Sequence, residues 1–364
     1  MTYISEFLLY CCFALLVGNQ LLMFIPDNKR PNINVPNWIV NLSIVGIAIL
    51  SLFPLITIVN MFAEDFEEGY WIIFKAVLLE FNIGHAWLIT LFLAALLLFI
   101  RSIKRFTNEP KLEYISAAFT FALILAFGWA SHCTASYQLK GFIPHSIHFL
   151  AVSVWIGTLL TISWFSTNNQ NWLAFLRWFS PLALICLTAT ISSGFFLMTL
   201  LVPDYVNSWM VSYGQALLFK HLLIIPLVTF AFINGVMVKR KLVLTPSFNP
   251  IPMARAESII ALLVFGVMAI MGQQSPTDNL AAVIEFDKPS KLFQLFYEGK
   301  ITQTTTIEFV SNGNSIMLAI IAVLCLGSTV FFFRTKTYSS LIAIVFSILF
   351  VGTAYTALML GVSN

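Results

Sequence analysis

Residues 39–52 read IVNLSIVGIAILSL, and residues 343–351 read AIVFSILFV. Neither stretch alternates polar and apolar positions as a membrane β-barrel strand does; both are greasy throughout, interrupted only by single small or amide side chains. Outward from 39–52 the apolar character covers 38–61, long enough to cross a hydrocarbon layer of about 30 Å as a helix. At that depth no water is available, so every backbone N–H and C=O must bond within the segment, and coiling achieves this. Similar runs occupy 4–25, 71–100, 112–133, 144–165, 174–201, 214–238, 256–272, 314–333 and 338–360. The expected fold is all-α: a polytopic transmembrane helical bundle of about ten spans.

Composition agrees. Of 364 residues 59% are hydrophobic and 10% charged, against about 25% charged in an ordinary soluble domain. The third and sixth runs are long enough to tilt, kink or extend beyond the lipid. The first lacks a basic leading segment and a small-residue cleavage site, and is expected to be a retained helix. The chain divides by this reading into two helices with an acidic loop (1–70), a membrane core (71–272), a polar segment (273–313) and two further helices (314–364). Within the polar segment, alternation around Thr304, Thr306 and Glu308 and over 282–286 allows short strands, while 291–297 allows an amphipathic interfacial helix. Cys11, Cys12, Cys133, Cys186 and Cys325 are scattered among apolar runs with no paired spacing, so no disulfide framework is expected.

Charge predicts the orientation. With the N-terminus outside, the inner connections carry Lys29, Arg30, Arg101, Lys104, Arg105, Lys111, Lys239, Arg240, Lys241, Arg334 and Lys336, whereas the outer ones hold Lys140, Lys288, Lys291 and Lys300. Because basic residues are retained on the cytoplasmic side, both termini are expected to be extracytoplasmic. Glu64, Asp65, Glu67, Glu68 and Asp204 then belong to an acidic outer face. The net charge of +3 is accounted for by these span-end cations, and no nucleic-acid partner is expected. The partner common to the whole chain is membrane lipid.

In such a chain the informative residues are ionisable ones at depth, since each is costly unless paired or hydrated. His132 and Cys133 close the fourth run, and His145 and His148 open the fifth, so a short outer connection brings these four to similar depth. His145 and His148, three apart, share a helix face, as do Trp129 and His132. Imidazole suits copper and zinc, and a thiolate or thioether favours monovalent copper. By the helix dipoles, imidazolium is opposed near His145 and favoured at His132. The four are candidate metal ligands, against the plainer reading that His and Trp anchor helix ends at the interface. His85 falls mid-way along the third run, with Glu80 and Lys75 nearer its outer end. This set is read as an ion or proton route, a haem ligand, or an interhelical hydrogen bond with Gly84 allowing close packing. Lys220 and His221 lie on the seventh run; Lys220 either snorkels to headgroups or pairs with Glu80. Met198, Met210, Met268 and Met271 are thioethers toward the outer face, and methionine is also a common packing filler.

Ser131-His132, a short loop, His148 through Trp155-Ile156-Gly157, Arg177-Trp178-Phe179-Ser180-Pro181, Tyr213-Gly214-Gln215-Ala216-Leu217-Leu218-Phe219-Lys220, Asn234, and Arg255 with Glu257 follow one another in order. With Gly84-His85-Ala86-Trp87, this series resembles the CopD family of copper-resistance and copper-uptake membrane proteins over about residues 70–270. The resemblance implies a bacterial cytoplasmic-membrane location, copper ion as cargo, and His132 and His148 as ligands. His145 rests on geometry. The chain departs from the family pattern in placing His85 where relatives commonly carry a basic residue, and no fused copper-binding β domain is expected. A separate extracytoplasmic delivery protein is therefore an expected partner.

The leading functional expectation is copper transport, in the direction of uptake, or copper handling. In it the outer His132, His145, His148 and Cys133 group captures the ion, and Glu80, His85, Lys220 and His221 line or tune the conduit. No nucleotide-binding motif is present, and a transporter rather than an enzyme is expected. Two alternatives accompany it: a haem b electron-transfer or metal-reducing protein, using histidines as axial ligands, and a non-transporting copper sensor or assembly factor.

Overall fold

The computed structural model describes residues 2–65, 69–107, 109–334 and 340–363. Glu67, Glu68 and Lys336, counted in the charge argument, lie outside the described residues. Among the described residues ten helices are long and apolar enough to cross a membrane, in the number expected. The chain forms two compact units, Met1–Leu200 and Leu201–Asn364, a division that falls inside the expected 71–272 core.

The first unit contains α1 (Thr2–Met23), α2 (Asn37–Leu50), α3 (Leu52–Asp65), α4 (Tyr70–Glu80), α5 (Asn82–Thr107), α6 (Lys111–Trp129), α7 (His132–Tyr137), α8 (Leu139–Phe165) and α9 (Trp172–Leu201). α2 and α3 form one span broken after Leu50, because Pro54 has no N–H to give the Leu50 carbonyl. Leu9, Phe13, Leu16, Ile44, Ile47, Leu97 and Leu123 knit α1, α2, α5 and α6 into a core. α1 crosses α8 at backbone contact: a Cβ at Gly18 would stand 2.0 Å from Gly157 O, and one at Gly157 would stand 2.1 Å from Ala14 O. One end of the unit is tied by Asn34 N donating to Phe165 O at 3.0 Å and Trp178 Nε1 donating to Lys29 O at 2.9 Å. Leu184, Ile185, Ile191 and Phe195 of α9 are exposed. In a bilayer they form a lipid-facing stripe rather than an aggregation hazard.

The second unit contains α10 (Ser212–Phe232), which continues through a π-helical stretch (Ile233–Val238) into α11 (Lys239–Leu244), then α12 (Ile251–Met271), α13 (Leu280–Phe286), α14 (Gly313–Arg334) and α15 (Ser340–Leu360). Its core gathers Met210, Leu222, Phe293, Ile307, Phe350, Tyr355 and Met359. Gln215 ties it together, donating to Trp209 O at 2.7 Å and accepting from Tyr355 Oη at 2.6 Å. β1 (Glu308–Phe309) pairs antiparallel with β2 (Val362–Ser363), with Glu308 opposite Ser363.

Three local expectations need correction. Residues 282–286 belong to α13 rather than a strand, because the Asn279 side chain caps the helix by accepting from Ala282 N. The 291–297 segment is a single 3₁₀ turn, Phe293–Leu295, with Phe293 fully buried and Tyr297 buried beside it. Its aromatic rings are drawn into the core instead of lying in headgroups. The third run, 71–100, is two helices that separate at Phe81, whose backbone is extended.

Candidate metal site

His148 links two neighbouring spans. It is half-buried on α8, and its Nδ1 lies 3.2 Å from Ser193 Oγ on α9. The Ser193 hydroxyl has one proton, which it donates to Ala189 O at 2.6 Å, so toward His148 it accepts. This bond calls for the neutral tautomer with its proton on Nδ1 and its lone pair on Nε2. Metal-bound histidines are oriented in this manner, by a hydrogen bond from the other ring nitrogen. Gly194 makes room for the ring, since a Cβ there would stand 3.3 Å from His148 Cε1. Met198, one turn further along α9, shares the face that receives His148. Sequence reasoning passed over Ser193; the available signal was a Ser-Gly pair within an apolar helix.

His145 is half-buried one turn before His148, its ring 5.9 Å from that of Phe127 on α6. The two histidines of one helix face thus address different neighbours. α8 begins at Leu139 rather than near residue 144, so His145 lies well inside the helix, beyond the first turn over which the positive helix end acts. Pro144 is accommodated within it.

His132 and Cys133 do not close the fourth span. α6 stops at Trp129, and the pair opens α7, whose N-cap Ser131 accepts from Thr134 N at 3.2 Å. The expectation that a helix C-terminus favours imidazolium at His132 is therefore corrected. His132 is exposed, yet the protein mass around it lowers its pKa by penalising the charged form. Cys133 is buried, and burial pushes its thiol up to about 11. α8 starts directly against it: a Cβ on Gly141 would meet Cys133 O at 2.0 Å. The turn between α7 and α8 is made by Gln138 at φ 49°, a region that non-glycine residues seldom occupy. Beside this turn lies a cavity of about 310 Å³ lined by Asn82, Trp129, Thr134, Gln138 and Leu139.

His85 is not in mid-span. It stands in the first turns of α5, exposed, and its Nε2 is 2.7 Å from Leu79 O near the end of α4. A carbonyl only accepts, so His85 donates and caps α4 across the break. Gly84 lets α5 approach, as a Cβ there would lie 2.3 Å from Leu78 O. Of the readings open for His85, the interhelical hydrogen bond with a small-residue contact matches this geometry. Glu80, the last residue of α4, is exposed.

In the second unit His221 Nδ1 is 2.8 Å from Tyr205 Oη. Burial raises the Tyr205 phenol to about 12, against a smaller opposing effect from its hydrogen bond with Trp209. Lys220 is half-buried on the same turn of α10. Met210 and Met271 are buried in apolar clusters, which accounts for them as packing. A second cavity, about 360 Å³, is lined by Ile284, Ile301, Thr302, Gln303 and Thr304; these side chains offer no nitrogen or sulfur ligand of the kind copper prefers.

Among the described residues no group of three or more His, Cys, Asp or Glu side chains converges to hold a metal ion. The arrangement around His148 offers one oriented imidazole, a second a turn away, and a thioether by helical register. Residues 1–141 match a family model described as Copper resistance protein D-like, N-terminal domain, and residues 173–271 one described as Copper resistance protein D. No curated protein and no solved structure matches the chain.

Proposed function

The chain belongs to the copper resistance protein D family of multi-pass membrane proteins, and from that premise we propose that it carries copper across the membrane, inward, by way of a site centred on His148. The observation that carries the proposal is the orientation of the His148 ring. Ser193 holds Nδ1 and Gly194 admits the imidazole, which selects the tautomer that ligates through Nε2. His145 and Met198 supply the next donors along the same path, and His132 with Cys133 receives the ion at the adjoining helix turn. Imidazole and thioether are suited to monovalent copper. The lowered His132 pKa favours this reading, because it keeps that ring neutral and able to ligate. The Cys133 thiol, raised by burial, must lose its proton to copper in order to take part.

A site of few ligands suits a carrier. A closed cage would hold copper too tightly to pass it on, whereas two or three donors allow exchange with a neighbouring group or a delivery protein outside the membrane. Glu80 and His85, in the same unit as His148, are assigned the role of tuning charge beside the route rather than binding the ion.

The test is anaerobic copper binding and uptake by the full chain in liposomes. The variant His145→Ala with His148→Ala is expected to lose bound copper and uptake together. Ser193→Ala, which leaves both imidazoles, is expected to weaken copper affinity by roughly 10–100-fold. Unchanged copper content and affinity in both variants would sink the site. A Soret band from the purified protein would turn the assignment toward haem, and binding without flux toward sensing.

A further inference from the structure

Glu257 of α12 is 2% exposed, and among the described residues no other Asp, Glu, Lys, Arg or His is fully buried. It lies inside a candidate span, where an ionisable side chain is expensive and marks a functional position unless another role accounts for it. Asn234 Nδ2 donates to Glu257 Oε2 at 2.7 Å and also reaches Met253 O at 3.3 Å. Asn234 is itself buried, and it falls in the π-helical stretch Ile233–Val238 that interrupts the seventh span. Such stretches are rare and collect at functional sites. A buried acid, a buried amide and an irregular backbone thus coincide at one point between two packed spans.

The bond from Asn234 does not by itself require an acid. Glutamine in place of Glu257 has the same shape and accepts the same bond from Asn234, without the cost of a buried charge. What glutamate adds is a proton that can come and go. We propose that Glu257 binds and releases one proton on its carboxylate during each cycle, so that proton movement drives the carrier. The proposal rests on the transport reading for its purpose, but its proton chemistry can be measured without transport.

Among the described residues, the charged and titratable groups on the surrounding elements include these. α12 itself carries Arg255. Beyond the π stretch α11 brings Lys239, Arg240 and Lys241, the last lying over the rings of Phe248 and Phe333 at 4.5 and 5.3 Å. Lys220 and His221 are several turns earlier on α10. α15, packed on α12, contributes Tyr355, already bonded to Gln215. The basic residues gather beyond one end of the stretch, where they favour release of the proton to that side.

Infrared difference spectroscopy on the full chain in membranes, stepped in pH, is expected to show a protonated-carboxyl band that disappears in Glu257→Gln. Asn234→Ala keeps the acid and is expected to move the band. Absence of the band in the wild type, or its persistence in Glu257→Gln, overturns the proposal, as does a band that Asn234→Ala leaves in place. In liposomes holding a pH-sensitive dye, Glu257→Gln should bind copper as the wild type does, while its copper and proton fluxes both fall roughly tenfold or more. Wild-type fluxes in that variant also overturn the proposal. If the wild type moves no copper, the transport reading fails and the infrared result still decides Glu257.

Discussion

The one proton on the Ser193 hydroxyl goes to Ala189 O, and this small fact separates His148 from its neighbours. His85 is engaged as a helix cap and His221 by a phenol, whereas His148 meets through Nδ1 a hydroxyl that accepts. His132 differs again, because its environment resists charge. With the folded pKa held below the ordinary 6.5, the unfolded chain takes up a proton that the folded one refuses. Stability is therefore full above that value and is lost as pH falls through it toward the folded pKa. Melting in detergent from about pH 7.5 to about pH 5 should show the wild type losing more stability than His132→Asn. Equal losses in the two proteins would remove His132 as the source.

At the scale of elements, close helix approach matters more than propensity. α1 and α8 cross with backbone against backbone because Gly18 and Gly157 both lack a Cβ. Such contacts drive association in lipid, where apolar surface has no water to escape. Gly157→Val must push against the Ala14 carbonyl, which has no side-chain freedom to yield, and should destabilise by about 1–3 kcal/mol or more. Gly352 is a control, since a Cβ there meets nothing within 4 Å. Thermal unfolding of Gly157→Val and Gly352→Val in detergent compares them; similar melting temperatures would refute the crossing as a tight contact. The α4–α5 break belongs to this scale as well. It moves His85 from mid-span to a helix start, with Gly84 and the Leu79 carbonyl making the joint.

At the scale of the molecule, ten helices among the described residues have the length and composition to cross a membrane, and consecutive spans must alternate in direction. In the first unit the α1–α2 and α8–α9 connections meet, through Asn34 with Phe165 and Thr167 with Asn32. Strict alternation requires this of the first and fifth connections. The distribution of Lys and Arg then predicts that those connections face the cytoplasm and both termini the outside. Alkaline phosphatase fused after Asn364 should be active, and a fluorescent protein fused there should stay dark. A bright cytoplasmic fusion would reverse the orientation and with it the direction proposed for copper.

The sequence by itself determined the helical class, the number of spans and the family. Residues 39–52 and their counterparts are apolar on every face, a property that needs no partner to be read, and the family signal is an order of short motifs along the chain. Apolar length also put His145 and His148 on the fifth span, but it misplaced His85 and His132, whose positions turn on helix breaks. The tertiary structure alone decided what each polar group meets. Ser193 and Asn234 look like ordinary helix residues until α9 faces His148 and the π stretch faces Glu257. Nor could apolar length reveal the break at Phe81 or the separate α7, since a broken helix and a continuous one satisfy the same hydrophobic requirement. Which of them forms is settled by carbonyls, caps and glycine contacts between segments distant in sequence, and these exist only after the helices have packed.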